Sequence, residues 1–185
     1  MEEYCDHRNG IHLPHWKSDG SSEYGEGGSY KIGVKGLNII WGNDPRFWQF
    51  IKLSEEDIRL TGCKEGAVLL QVNWIEVTGK IPIRLENSCP RKLEILYMVK
   101  FREDAFGWHS IAIKFKLKFN GEEKIKSHNL ELFRDNNEKS RWHEINGGDF
   151  TIQKDGVLEF GMFEVETDWW KGGIILAGVK IKPIL

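Results

Sequence analysis

Glu164, Glu166 and Asp168 alternate along the chain, so they share one face of any strand that runs through them. Two carboxylates held about 5–9.5 Å apart can hydrolyse a glycoside. The polar outer face of a strand has the same pattern and is the preferred reading, since glycosidase clefts usually belong to larger folds. Cys5, His7, His12 and His15 form a second set of potential ligands. Their spacing fits no common zinc finger, and their flanks lack an apolar scaffold to fix the geometry, so a solvated tail is expected and no metal or other cofactor. There is no phosphate loop, no Gly-x-Ser-x-Gly elbow and no His-Glu-x-x-His, and the chain is not expected to be an enzyme.

Tryptophan is the informative residue: the 185-residue chain has 8. Trp41 and Trp48 flank the turn Gly42-Asn43-Asp44-Pro45-Arg46, and Trp108 follows Arg102-Glu103-Asp104-Ala105-Phe106-Gly107. Trp169-Trp170-Lys171-Gly172-Gly173 reads as a loop, whereas Trp74 sits mid-strand in Gln71–Val77 and is expected in the core. An indole at a loop tip can stack on the C–H face of a pyranose, while nearby polar groups bond its hydroxyls. Lys171 offers a donor and Asp104 an acceptor. Tryptophans that only plug the open ends of a sandwich would give the same pattern, so both readings stand at this level.

The elements that must position these residues are strands. Leu93, Ile95, Tyr97, Val99 and Phe101 alternate, as do Ile111, Ile113, Phe115, Leu117 and Phe119. This period of two marks half-buried antiparallel strands. Further strands are expected at Asn38–Trp41, Ala67–Thr78, Leu158–Glu166 and Ile174–Lys182. Turns are expected at Asn43-Asp44-Pro45, Asn120-Gly121, Gly147-Gly148-Asp149 and Asp155-Gly156. A short helix is plausible only within Pro45–Leu60. The fold class is therefore all-β, an antiparallel β-sandwich of jelly-roll type with at most one short helix. Residues 1–35, with the Gly/Ser-rich run Ser18–Ser29, are expected to be a flexible segment, and 36–185 the folded domain.

Composition excludes some classes. Hydrophobic residues make up 40% and aromatics 12%, enough for a core and too many for a disordered chain. The net charge of −2 lacks the basic excess of a general nucleic-acid binder. Lys114, Lys116 and Lys118 make a local basic stripe, which a solvated sheet face explains more simply. No apolar run approaches the roughly 20 residues needed to span a bilayer, and no membrane partner is expected. The polar N-terminus has no apolar signal region, and the three cysteines (Cys5, Cys63, Cys89) suit a reducing compartment, so a cytoplasmic or nucleocytoplasmic address is expected.

Asn38-Ile39-Ile40-Trp41-Gly42-Asn43-Asp44-Pro45-Arg46-Phe47-Trp48 resembles the opening motif of the phloem protein 2 lectins, which include the tobacco agglutinin type. Leu70–Gly79, Asp104-Ala105-Phe106-Gly107-Trp108, Gly161–Glu166, Trp169–Gly173 and Gly178–Pro183 resemble the later blocks, in the family's order. The resemblance covers about residues 36 to 185. It implies a jelly-roll-like sandwich and a non-enzymatic, commonly dimeric lectin of phloem sap. The implied ligands are N-acetylglucosamine oligomers, meaning chitin fragments and the chitobiose core of N-glycans.

The more distant likeness to sugar-recognising F-box proteins implies the site. Trp170 would stack under the ring, and Asp104 would accept from a hydroxyl or the acetamido N–H. Lys171 would donate through its ammonium or backbone, and Trp169 and Trp108 would wall the site. Phe106 would meet the acetamide methyl. Trp169 stands where that family has Tyr. Trp41 and Trp48 would either touch ligand or lie beneath it. The alternatives are an RNA-binding phloem protein, using Lys114, Lys116, Lys118, Lys124 and Lys126, and a filament-crosslinking protein using Cys63 or Cys89.

Overall fold

The computed structural model describes residues 13–109, 111–134 and 141–185. Among the described residues, two antiparallel sheets face each other. The first contains β1 (Glu23–Tyr24), β2 (Tyr30–Gly33), β4 (Trp48–Lys52), β5 (Glu65–Leu69), β7 (Arg91–Phe106), β10 (Trp142–Ile152) and β12 (Gly172–Pro183). One edge of β12 pairs with β7 along its length; the other pairs with β5 and then β2. The second sheet runs β3 (Asn38–Ile39), β6 (Ile75–Ile83), β11 (Gly156–Glu164), β8 (Ala112–Phe119), β9 (Glu122–Asn129).

The alternating residues read from the sequence fill the space between the sheets. Leu93, Ile95, Tyr97, Val99 and Phe101 from β7 meet Ile113, Phe115, Leu117 and Phe119 from β8 in one core. The Tyr97 and Phe115 rings pack edge to face at 4.9 Å. Among the described residues this is an all-β sandwich with one short α-helix, and the period of two accounts for its strands.

Several boundaries differ from expectation. The helix α1 spans Glu55–Thr61, while Trp48–Lys52 is a strand. Ser54 sets the helix start, its side chain accepting from Asp57 N at 3.1 Å, and Gly62 at φ 73° ends it. The expected strand Ala67–Thr78 is two strands, β5 and β6, joined by a corner at 70–74 that passes from one sheet to the other. Trp74 therefore lies outside the core, 41% exposed, with its Nε1 donating to Glu76 at 3.3 Å. Gly147-Gly148-Asp149 is no turn but an irregularity within β10, where the register shifts between Asn146 and Gly148. A Cβ on Gly147 would lie 2.5 Å from the Tyr97 ring, so glycine lets β10 pass over that large core residue.

The segment 1–35 also needs correction. Residues 1–12, with Cys5, His7 and His12, lie outside the described residues. Residues 13–35 join the sandwich: β2 pairs with β12, and Tyr30, Ile32 and Val34 are buried. Three alternating apolar residues at 30–34 and the edge of β12 outweigh the Gly/Ser-rich composition just before them.

Candidate functional site

Two loops meet at one end of the sandwich: the turn at the end of β7 and the β11–β12 connection. Glycine makes the approach possible. A Cβ on Gly173 would sit 2.4 Å from Ala105 Cα, and one on Gly107 would sit 2.2 Å from the Trp170 carbonyl oxygen. Both glycines have φ 83°, a conformation that L side chains avoid. Gly172 pairs with Phe106, so Asp104–Gly107 and Trp170–Gly173 interlock through their backbones.

The six residues singled out from the sequence divide into two groups. Trp169, Trp170 and Phe106 are 58%, 49% and 42% exposed. Asp104 is also exposed, 3.4 Å from Arg102 Nε. Trp108 and Lys171 are buried. The Trp108 Nε1 donates to the Gly172 carbonyl at 2.9 Å, which ties the second loop to the first.

Lys171 departs from its expected role as a donor to ligand. Its ammonium donates to the Trp169 carbonyl at 2.8 Å and lies 3.6 Å from Glu164 Oε1. Its backbone N–H and C=O are both bonded to Val72 at 2.9 Å. Burial pushes the ammonium below its usual pKa, and the Glu164 carboxylate opposes that shift. No donor of Lys171 faces solvent, because strand pairing with Val72 turns the side chain inward. It positions the Trp169–Trp170 pair instead.

Glu164 is the other half of this arrangement. Its carboxylate also accepts from Glu166 N at 3.3 Å and from the Thr167 hydroxyl. β11 ends at Glu164, so Glu164, Glu166 and Asp168 do not continue as one strand face. Glu166 is exposed and paired with Lys114.

A row of rings extends from Trp170. Phe47 lies 6.5 Å from Trp170, and Trp41 lies 5.7 Å from Phe47. Arg46 sits 5.0 Å over the Phe47 ring and is held by Asp44 at 2.7 Å. His109 packs edge-on to Trp169 at 6.4 Å. Trp41 is exposed, while Trp48 is core. Phe47 and His109 were missed from the sequence; Phe47 stands between two tryptophans of the first motif, and that was the available signal.

Of the residues behind the alternative readings, some are engaged elsewhere, while Cys89 is exposed. Lys124 and Lys126 donate to Asp149 O at 2.9 Å and Asn146 Oδ1 at 3.0 Å, closing β9 against β10. Cys63 is buried, and burial pushes its thiol pKa up. Among the described residues, no group of three or more His, Cys, Asp or Glu is arranged to hold a metal, and no helix is long and apolar enough to cross a membrane.

The phloem protein 2 family model matches residues 27–183. Protein PHLOEM PROTEIN 2-LIKE A2 of Arabidopsis thaliana is 38% identical over 64% of this chain and 60% of its own length. Protein PHLOEM PROTEIN 2-LIKE A5 of the same plant is 30% identical over 85% of this chain and 38% of its own. The chain thus spans about 60% or less of these two relatives. Among solved structures, a family 35 carbohydrate binding module from Clostridium thermocellum aligns over 83% of this chain and 96% of its own, with TM-score 0.46 and 7% identity. With the family model matched from β2 to the end of β12, the chain belongs to the phloem protein 2 family.

Proposed function

We propose that this protein is a lectin that binds N-acetylglucosamine oligomers, free or in glycoproteins, at the paired end loops, without turning them over. The observation that carries this reading is the exposure of Trp169 and Trp170 on a loop fixed by buried bonds. Solvent-exposed indoles whose backbone is held by Lys171, Glu164 and Trp108 are pre-organised platforms. Trp170 stacks on the sugar ring, Asp104 accepts from a hydroxyl or the acetamido N–H, and Phe106 meets the acetamide methyl. The row Trp170, Phe47, Trp41 gives a longer oligomer further apolar surface.

Calorimetric titration with N,N′,N″-triacetylchitotriose tests the reading, with glucose oligomers as control. Saturable binding that needs the acetamide is expected. Trp170→Ala should weaken it by about 1–3 kcal/mol, the range for loss of an aromatic stacking platform, with the fold intact. Full-strength binding by that variant would remove Trp170 from the site, and no binding by the parent protein would sink the lectin reading. Sedimentation of the same sample checks the homodimer that goes with this proposal.

A further inference from the structure

A groove of about 380 Å³ crosses the outward face of the five-stranded sheet, away from the interlocked loops. Gly161 forms its floor. The strand register places Gly161 between Thr78 of β6 and Lys116 of β8, and Thr78 opposite Asn38 of β3. This row crosses four strands, about 14 Å at the usual inter-strand spacing. On one side Phe163 leans over the glycine: a Cβ on Gly161 would lie 2.7 Å from the Phe163 ring. Lys116 Nζ stands 4.8 Å from the centroid of that ring.

The other side is a cross-strand row of alternating sign: Lys80, Glu159, Lys118, Glu123. Opposite charges directly across a sheet could pair. Instead, among the described residues, none of these four is held in an ion pair, in contrast to neighbouring Lys114 on Glu166 and Lys124 on Glu122. The groove therefore presents donors and acceptors in similar number beside one aromatic ring.

That inventory selects its ligand class. A polyanion would meet Glu159 and Glu123, and a polycation would meet Lys80, Lys116 and Lys118. A peptide strand could not add by its backbone at the centre of the groove, because β11 and β8 are bonded on both edges. A hydroxyl both donates and accepts, so a chain of hydroxyls satisfies both kinds of partner. The absent side chain at Gly161 makes room for the Phe163 ring, whose outward side can meet the C–H face of a sugar. We propose that this groove is a second carbohydrate site, separate from the end loops, that takes a neutral oligosaccharide laid across β3, β6, β11 and β8. Two sites on one chain make each molecule bivalent, which raises avidity toward surfaces that carry both ligands.

The test is amide chemical-shift mapping of the isotope-labelled full chain, titrated with chitotetraose, cellotetraose and tetragalacturonate. Saturable shifts at Thr78, Gly161 and Lys116 with a neutral tetramer are expected, and they should survive Trp170→Ala. Phe163→Ala, which changes an outward-facing ring, should weaken them about tenfold, matching loss of one aromatic contact. Shifts confined to Asp104–Gly107 and Trp169–Lys171 would overturn the second site and leave the end-loop lectin standing. Groove shifts with tetragalacturonate alone would overturn the neutral-ligand assignment. Groove shifts without end-loop shifts would uphold this site and count against the end-loop reading.

Discussion

Lys171 directs its ammonium into the protein, 3.6 Å from Glu164 Oε1, while its sequence neighbours Trp169 and Trp170 stay exposed. The pair acts on the Trp169 carbonyl, so an ionic contact in the interior sets the geometry of two surface indoles. Lys171→Met should cost about 3 kcal/mol, since it leaves the Glu164 carboxylate buried without its counter-charge. Adding Glu164→Gln should recover part of that loss rather than add to it. Urea unfolding midpoints of the three variants measure this coupling. Equal, additive losses would mean that the two groups do not interact.

The close approach of the loops makes Gly173 a sensitive position. Gly173→Ala combines a φ of 83° with a Cβ 2.4 Å from Ala105 Cα, so backbone must move. Gly121 is the control, because it has φ 84° with open space around it. Gly121→Ala should cost only the left-handed penalty of about 1–2 kcal/mol. Gly173→Ala should cost clearly more and should also weaken sugar binding. Matching unfolding midpoints for the two variants would refute the interlock.

Trp108 and Trp74 separate core from surface indoles. Trp108→Ala removes a buried ring with a bonded Nε1 and should destabilise by about 3–5 kcal/mol. Trp74→Ala should stay within about 0.5–1 kcal/mol of the parent, because its ring lies at the surface and outside the core. Thermal melts of both variants decide the point, and the reverse order would contradict their burial.

Asp57 ties α1 to the first sheet and gives the fold an acid-sensitive contact. Burial opposes its ionisation, but hydrogen bonds from Trp142 Nε1 at 2.8 Å and Lys100 Nζ at 3.3 Å outweigh that and hold its pKa below 3.8. The unfolded chain therefore binds more protons at this site than the folded one between the two pKa values. The stabilisation is fully present above the unfolded value and is lost as pH falls through the folded value. Asp57→Asn should lower stability at neutral pH and reduce the slope of stability against pH in the acid limb. An unchanged acid limb would show that Asp57 contributes nothing there.

The sequence by itself determined the strand character of 93–101 and 111–119 and the identity of the end-loop residues. The period of two in 93–101 and 111–119 forces one face of each strand inward, whatever its partner, because side chains alternate across a strand. Asn120-Gly121 had to turn, since its φ values of 48° and 84° suit those residues. The Trp, Asp and Lys content of the loops could be read off directly. The sequence did not determine which of those side chains face water. Lys171 and Trp108 read as ligand contacts, and Trp74 as core, because local pattern carries no information about what packs from a distant segment. Tertiary structure decided those three: Val72 pairs with Lys171 and turns it toward Glu164, Gly172 accepts from Trp108, and the sheet-to-sheet corner swings Trp74 outward. Each depends on contacts between residues far apart in the chain, and only the closed sandwich brings those residues together.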